Sequence, residues 1–445
     1  MSLIHQSSGE CALNSLDLFS TPPTQVSVET GQYEYFAPIN AITDDQAPLE
    51  FNIKGSSEEY IDLSKTTMFL SAQVTTADGE SLGDGLRTGV INYLASTMFS
   101  QLDTYLNEKP ISSSAQYYPY RAMIDLLLSY GQEAKKTQFQ SALYFKDKAG
   151  KMDNVDPTDA DGNTGLAARY QYTKQSRTFD VMTRVHSDIF MQDRYMLSLV
   201  DVKLVFSRSR TQFCMLSSEA AGDYKIKLLK AGLFVYKVKI NPAVLIAHSK
   251  CLSSGTAKYP ICRSEIKTFT IGAGYSTIAL DHLILGQIPT QLVFCMVQSQ
   301  ALTGHLRKNP FNFHHFDLSY IALTVDGRHV PFRPLKPRLG GAGSQSFARA
   351  YQTLFIGTSR QYHDSGCDID VNDFLNGYFV LVYDLTPDMS GAANSHWTLM
   401  KTGSARLELE FATPLPETVS VIAYCSYHNL IEITERRDIL FDYAS

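Results

Sequence analysis

Short runs of alternating apolar and polar residues recur along most of the chain. They include "TMFLSAQV" (67–74), "DVKLVFS" (201–207), "GLFVYKVKI" (232–240), "TQLVFCMV" (290–297), "YFVLVYDL" (378–385) and "ARLELEFA" (405–412). Each is rich in β-branched or aromatic residues and is bounded by Gly, Pro, Asn or Asp. This spacing predicts many short strands packed as a sandwich or barrel. One stretch breaks the pattern. In "YPYRAMIDLLLSYGQEAKK" (118–136), Ala122, Leu126 and Ser129 fall on one helical stripe and Ile124, Leu127 and Leu128 on its neighbour, which predicts a helix that Gly131 weakens at its end.

The strand pattern repeats at long range. In "LEFNIKGSSEEYIDLS" (49–64), Phe51, Ile53, Gly55, Ile61 and Leu63 echo Phe269, Ile271, Gly272, Ile278 and Leu280 of "IKTFTIGAGYSTIALDH" (266–282). Further on, Leu106-Asn107-Glu108-Lys109 resembles Val325-Asp326-Gly327-Arg328, in each case a strand entering a two-residue hairpin turn. Tyr120 matches Tyr351 at the head of a helix-like stretch. Phe179–Asp188 matches Phe379–Asp388, and "VKLVF" (202–206) matches "LELEF" (407–411). The spacing between copies shrinks after the helix, so the first copy carries an insertion at 145–175, polar and turn-rich, which reads as a surface loop or tower. The second copy has its own extra segment at 389–404. A division follows: a flexible N-terminal arm at 1–31, a first β domain at 32–250, a linker at 251–262, a second domain at 263–434 and a C-terminal tail at 435–445.

At 445 residues the chain is long enough for two cores of ordinary size. Hydrophobic residues at 44% and charged residues at 19% describe a folded chain, and the formal charge of −6 argues against an electrostatic nucleic-acid binder. The arm holds Glu10, Asp17 and Glu29 but no Lys or Arg, so it is not expected to grip DNA. No apolar run reaches the roughly 18 residues of a spanning helix, and the N-terminal stretch lacks the pattern of a secretion signal. Seven scattered Cys without a C-x-x-C pair suggest buried thiols rather than a disulfide framework or zinc site.

The candidate chemistry is sparse. Asp153, Asp156, Asp159 and Asp161 alternate closely, yet they miss the spacing of a calcium loop, because position 12 counted from Asp159 is Tyr170. His314 and His315 are adjacent in a strand-like entry and so point to opposite faces, which separates them as ligands beside His305. "GGAGSQSF" (340–347) lacks the context of a nucleophile elbow. Arg208 with Arg210, and Arg436 with Arg437, are small basic spots suited to surface pairing. No catalytic residue, metal site or cofactor is therefore expected. Tyr117, Tyr118, Tyr120 and Tyr130 cluster around the predicted helix and are candidates either for packing within the chain or for contact between subunits.

Four phrases carry a resemblance: "GSSEEYIDLSKTTMFLSAQV", "YPYRAMIDLLLSYG", "NPFNFHHFDLSYIALTVDGRHVPFRPLKP" and "GYFVLVYDLTPD". From about Gln32 to Arg437 the chain resembles the double jelly-roll major capsid, or hexon, proteins of Polinton (Maverick) elements and adintoviruses. The resemblance implies an all-β fold of two tandem eight-stranded jelly rolls with short helical insertions. It also implies a homotrimer whose six sandwiches imitate a hexagon and tile an icosahedral shell around double-stranded DNA. The implied partners are further copies of the chain and a penton or minor capsid protein, and the implied location is the virion. A minor virion protein of the same shape, and a carbohydrate-binding or carbohydrate-processing tandem sandwich, are the alternatives.

Overall fold

The computed structural model describes all residues except 1–4, 6, 10, 43–46, 84, 113–115, 220–222, 341–345, 393–395 and 444–445. The first domain contains β1 (Val28–Phe36), β2 (Leu49–Ile53), β3 (Glu59–Thr76), β4 (Thr88–Val90), β5 (Phe99–Leu106), β6 (Lys109–Pro110), β7 (Phe179–Arg184), β8 (Val202–Arg208), β9 (Met215–Ser217) and β10 (Tyr224–Ile240). Two four-stranded sheets form from them, in the orders β1-β10-β3-β7 and β2-β8-β5-β6, with β4 and β9 as a separate ribbon. The alternation read from the sequence sets the faces. In β8, Val202, Leu204 and Phe206 are buried while the residues between them are partly exposed, and β2 buries Leu49, Phe51 and Ile53 in the same way.

The second domain repeats this order with β11 (Ala257–Ile271), β12 (Thr277–Gln287), β13 (Gln291–Gln298), β14 (Leu318–Val325), β15 (Arg328–Leu335), β16 (Val380–Asp384), β17 (Thr402–Phe411) and β18 (Val419–Ile433). Its sheets are β11-β18-β13-β16 and β12-β17-β14-β15, and a short β19 (Ile439–Phe441) adds to β18. Each roll thus has two four-stranded sheets in one topology, the double jelly roll that the resemblance implied.

Most of the sequence echoes mark equivalent elements. The β5–β6 and β14–β15 hairpins turn at Asn107-Glu108 and Asp326-Gly327, with all four residues at positive φ (44°, 65°, 46° and 77°), as a two-residue hairpin that follows the strand twist requires. Among the strands, β7 matches β16 and β8 matches β17, whereas Tyr120 and Tyr351 head helices that settle differently, Tyr118–Ser129 beside β5 and Ala348–Gly357 on β16. The opening echo does not hold. "LEFNIKGSSEEYIDLS" runs from β2 into β3, whereas "IKTFTIGAGYSTIALDH" runs from β11 into β12, one strand earlier in its roll. Alternation with a glycine turn describes any hairpin of a sandwich, and only the pairing partners tell one hairpin from the next.

The connection between rolls also differs from the expected linker. A helix, Pro242–Leu252, capped by the Asn241 side chain, ends inside 251–262, and β11 has already begun at Ala257. Residues 118–136 form two helices rather than one, because Tyr130 is extended and Gly131 caps a short Gln132–Lys136 helix.

Candidate assembly interface

Several of the polar residues that the fold buries lie between the two rolls. The helix Tyr118–Ser129 follows the β5–β6 hairpin of the first roll and lays its apolar stripes, including Ala122, Met123, Leu126 and Leu127, onto its own sandwich. Its opposite side presents Arg121 and Asp125, one helical turn apart, to the second roll. Arg121 Nη2 donates to Asp188 Oδ1 at 2.6 Å, and the backbone N–H of Ser264 in β11 donates to the same oxygen at 3.1 Å. Tyr424 of β18 donates its hydroxyl to Asp125 Oδ1 at 2.8 Å, while Asp125 Oδ2 lies 3.1 Å from His186 Nδ1. Thr268 Oγ1 donates to the Tyr117 hydroxyl at 3.1 Å.

Burial competes with charge pairing and hydrogen bonding in this cluster. It lowers the His186 pKa, favouring the neutral ring, and raises that of Asp188 against the pull of Arg121. For Asp125 burial acts upward, but the hydrogen bonds and charges of His186, Arg121 and Tyr424 outweigh it and hold the carboxyl below its ordinary value.

A second joint comes from the 145–175 insertion, which is not a simple surface tower. Its helix Thr164–Thr173, capped by the Asn163 side chain, drives Arg169 to complete burial. There Nη2 donates to Asp147 Oδ1 at 2.8 Å, Nε to the Val90 carbonyl at 2.9 Å and Nη1 to the Phe145 carbonyl at 2.9 Å. The other Asp147 oxygen accepts from Asn309 Nδ2 of the second roll at 3.0 Å, and the Asp147 carbonyl accepts from the Tyr378 hydroxyl at 2.9 Å. Asp153 accepts from the Asn309 backbone N–H and from Asn312 Nδ2, each at 2.7 Å, and Lys146 Nζ donates to Asp373 Oδ2 at 2.6 Å. The segment clamps one roll to the other. Its polar composition hid this, because partners at 309–312 and 373 are invisible to local pattern.

Further ties lie at the ends of these elements. The buried Lys135 Nζ donates to the carbonyls of Leu127 at 3.0 Å and Cys367 at 2.6 Å, and burial lowers its pKa to about 8. The tail straps back onto the first roll: Asn107 Nδ2 donates to the Arg437 carbonyl at 3.0 Å, Lys109 Nζ to that of Ile439 at 2.8 Å, and the Tyr443 hydroxyl to that of Ile111 at 3.0 Å.

The four tyrosines divide. Tyr118 and Tyr120 are 2% and 1% exposed, so both rings are used in packing within the chain. The Tyr118 ring meets the edge of Phe206 in its own roll, and Tyr120 meets Phe213 and, across the joint, Phe311. Tyr117 and Tyr130 are half-buried, Tyr117 on Thr268 and Tyr130 edge-on to Phe139 at 4.5 Å between ring centroids. Among the other sequence candidates, Asp156 pairs with Arg87 at 2.7 Å and Asp159 accepts from Asn154 at 2.6 Å. His314 Nε2 lies 3.5 Å from Asp153, whereas His305 and His315 accept from nearby backbone N–H groups. Arg208 and Arg437 donate to the carbonyls of Ile226 and Ser198. Among the described residues no three His, Cys, Asp or Glu side chains converge as a metal site. Residues 341–345 of the Gly-rich stretch lie outside the described residues. Arg121, Asp125, Asp147, Arg169 and Asn309 were missed by sequence reasoning. For the first two a signal existed, a charged pair one turn apart inside an otherwise apolar helix.

No family model matches the chain. An uncharacterized protein of Caenorhabditis elegans is 22% identical over 440 residues, covering 95% of this chain and 99% of that one. Among solved structures, the Sputnik virophage structure determined by cryo-electron microscopy aligns with a TM-score of 0.66 at 13% identity, over 100% of this chain and 94% of that chain. The faustovirus major capsid protein aligns with a TM-score of 0.55 at 8% identity, over 93% and 92% of the two chains. The mavirus major capsid protein aligns with a TM-score of 0.52 at 10% identity, over 100% and 97%. At such identities the likeness is one of fold, and the fold of this chain is the double jelly roll of viral major capsid proteins.

Proposed function

We propose that the chain is the major capsid protein of a Polinton-type or adintovirus-type particle, in which three copies close into a six-roll, pseudo-hexagonal capsomer that tiles an icosahedral shell around double-stranded DNA. The observation that carries the reading is the end-to-end alignment of both rolls with viral major capsid proteins, leaving almost no part of the chain for another purpose. The clamped joint supports it: two rolls tied by buried ion pairs behave as one rigid building block, as a shell subunit must. A full-length relative in a nematode fits a gene carried in animal genomes. The arm contributes Leu13, Leu16, Leu18 and Phe19, all strongly exposed, as an apolar strip for a neighbouring subunit or a minor capsid protein.

Size-exclusion chromatography with light scattering tests this directly. A mass of three times 49.6 kDa, with hexagonal outlines in negative-stain images, is the expected result. A species that stays monomeric under every assembly condition overturns it.

A further inference from the structure

The connection between the rolls borders an open groove. The helix Pro242–Leu252 carries Ala243, Val244, Leu245, Ile246 and Ala247 in succession, yet only Leu252 of its eleven residues is buried and Ile246 is 70% exposed. A helix apolar on most of its circumference ordinarily has a cover on more than one side. Beside it lies a groove of about 550 Å³, lined by Val244 and Leu252 of the helix, by Tyr60, Leu197 and Ile240 of the first roll and by Tyr259 of the second. The frame is fixed: the Tyr60 hydroxyl lies 2.9 Å from His248 Nδ1, and the Tyr259 hydroxyl accepts from the Leu197 N–H and donates to the Tyr195 carbonyl, each at 3.1 Å. Its charge is one-sided. Arg194, Lys258 and His248 line it, but no carboxylate does among the described residues, and Arg194 donates only to the Lys258 carbonyl, at 2.5 Å.

The N-terminal arm has the complementary features. Leu13, Leu16, Leu18 and Phe19 have no seat on their own chain, Phe19 being 96% exposed, and Asp17 lies among them in an arm that contains no Lys or Arg. The arm starts at the groove, since Ser27 and Val28 line its edge and the Ser27 carbonyl accepts from the Asn241 N–H at 2.9 Å. It then leads away from it. Residues 20–26 run without helix, strand or turn and include Pro22-Pro23. At about 3.1 Å per residue, a proline-stiffened spacer of this kind spans up to about 25 Å, which carries the apolar strip beyond its own groove and toward that of another chain.

We propose that the groove beside the helix Pro242–Leu252 of one copy seats the apolar strip at 13–19 from the arm of a second copy, with Asp17 facing Arg194. The inference deepens the capsid reading, on which it rests for the presence of neighbouring copies, by fixing where the arm docks. Each copy gives one arm and offers one groove, so the contact is heterologous and ties each chain to the next. Apolar side chains supply the burial, and the pairing of an all-acidic arm with an all-basic rim sets the orientation.

The test is a covalent trap on the full chain. Cys251 is exposed and lines the groove. Leu16→Cys and Phe19→Cys, each in a background where Cys11 and Cys262 are Ser, are expected to form disulfides with Cys251 under air oxidation, giving two-chain and larger species on a non-reducing denaturing gel. Cys251→Ser is expected to remove them. Arg194→Glu is expected to weaken the trap, and Asp17→Lys in the same chain to restore it, with circular dichroism unchanged throughout. If the thiols are lost while every species stays at one chain, the arm folds onto its own groove and the exchange is overturned. A wild type of three-chain mass in which neither cysteine cross-links also overturns it, and the capsid reading stands in both cases. A wild type that never leaves the single-chain mass, with no cross-link, overturns both.

Discussion

The helices Tyr118–Ser129 and Ala348–Gly357 each follow the hairpin of their roll but settle in different places, the first beside β5 and against the second roll, the second on β16 of its own sheet. Each seats a buried methionine or leucine, Met123 or Leu354, on its own sandwich. Beyond that layer the first helix carries an Arg and an Asp that meet Asp188, Ser264 and Tyr424, while the second carries Gln352 and Ile356 into an open groove. The comparison teaches that the two rolls share one strand plan but not the seat of the helix that follows the hairpin, which the first roll uses to meet a fixed neighbour in the chain. The same asymmetry appears in the long last strands. β18 has one face on its own core and the other on the first roll, so its first eleven residues are all buried. β10 lacks such a cover and exposes lysines along its length.

The largest expected effect separates the outer faces. Arg121→Leu leaves Asp188 and Asp125 buried without their cation and is expected to cost about 3–5 kcal/mol in chemical denaturation. Gln352→Leu, beside the open groove of the second helix, should change the stability of the isolated subunit by no more than about 0.5 kcal/mol. Comparable losses from the two changes would mean that the second helix is not free.

Next come the buried faces, where each helix seats an apolar side chain in the interior. Met123→Ala and Leu354→Ala each empty a buried site and are expected to cost about 2–5 kcal/mol. A silent Leu354→Ala in thermal or urea melts would show that the second helix does not seat on its roll. The insertion adds a smaller, local lever. Asn163→Ala removes a cap at the clamp helix and should cost about 0.5–2 kcal/mol, detectable as faster amide exchange across 164–173.

The mildest effect is a pH dependence confined to the closed joint. His186 is neutral in the fold because burial lowers its pKa below 6.5, whereas the unfolded chain takes up a proton near 6.5. Its contribution to stability is therefore complete above that pH and declines as pH falls toward the folded value. The melting temperature should drop between pH 7.5 and 5.5, and His186→Gln should flatten that slope. The equivalent second-roll position is Thr386, which does not titrate in this range.

How much of this was legible follows from where each signal resides. The hairpin turns at Asn107-Glu108 and Asp326-Gly327 and the helix heads at Tyr120 and Tyr351 were readable because turn chemistry and helical period are local. The echo between Phe51 and Phe269 misled for the same reason, since alternation around a glycine recurs in every hairpin and carries no address. The insertion at 145–175 read as solvated because Asp, Asn and Lys dominate it. Its Asp147 and Arg169 are buried only because Asn309, Val90 and Phe145 supply the partners that burial of charge demands.

By itself the sequence determined that this chain builds two strand-rich cores of similar plan with a helix inserted in the first, because alternation, period and turn residues act within a few positions. Only the tertiary structure decided that the polar insertion is a clamp, that Tyr118 and Tyr120 are interior, and that the helix Tyr118–Ser129 meets the second roll while Ala348–Gly357 borders an open groove. Those outcomes depend on groups hundreds of residues apart meeting at hydrogen-bond distance, and no local pattern encodes such meetings.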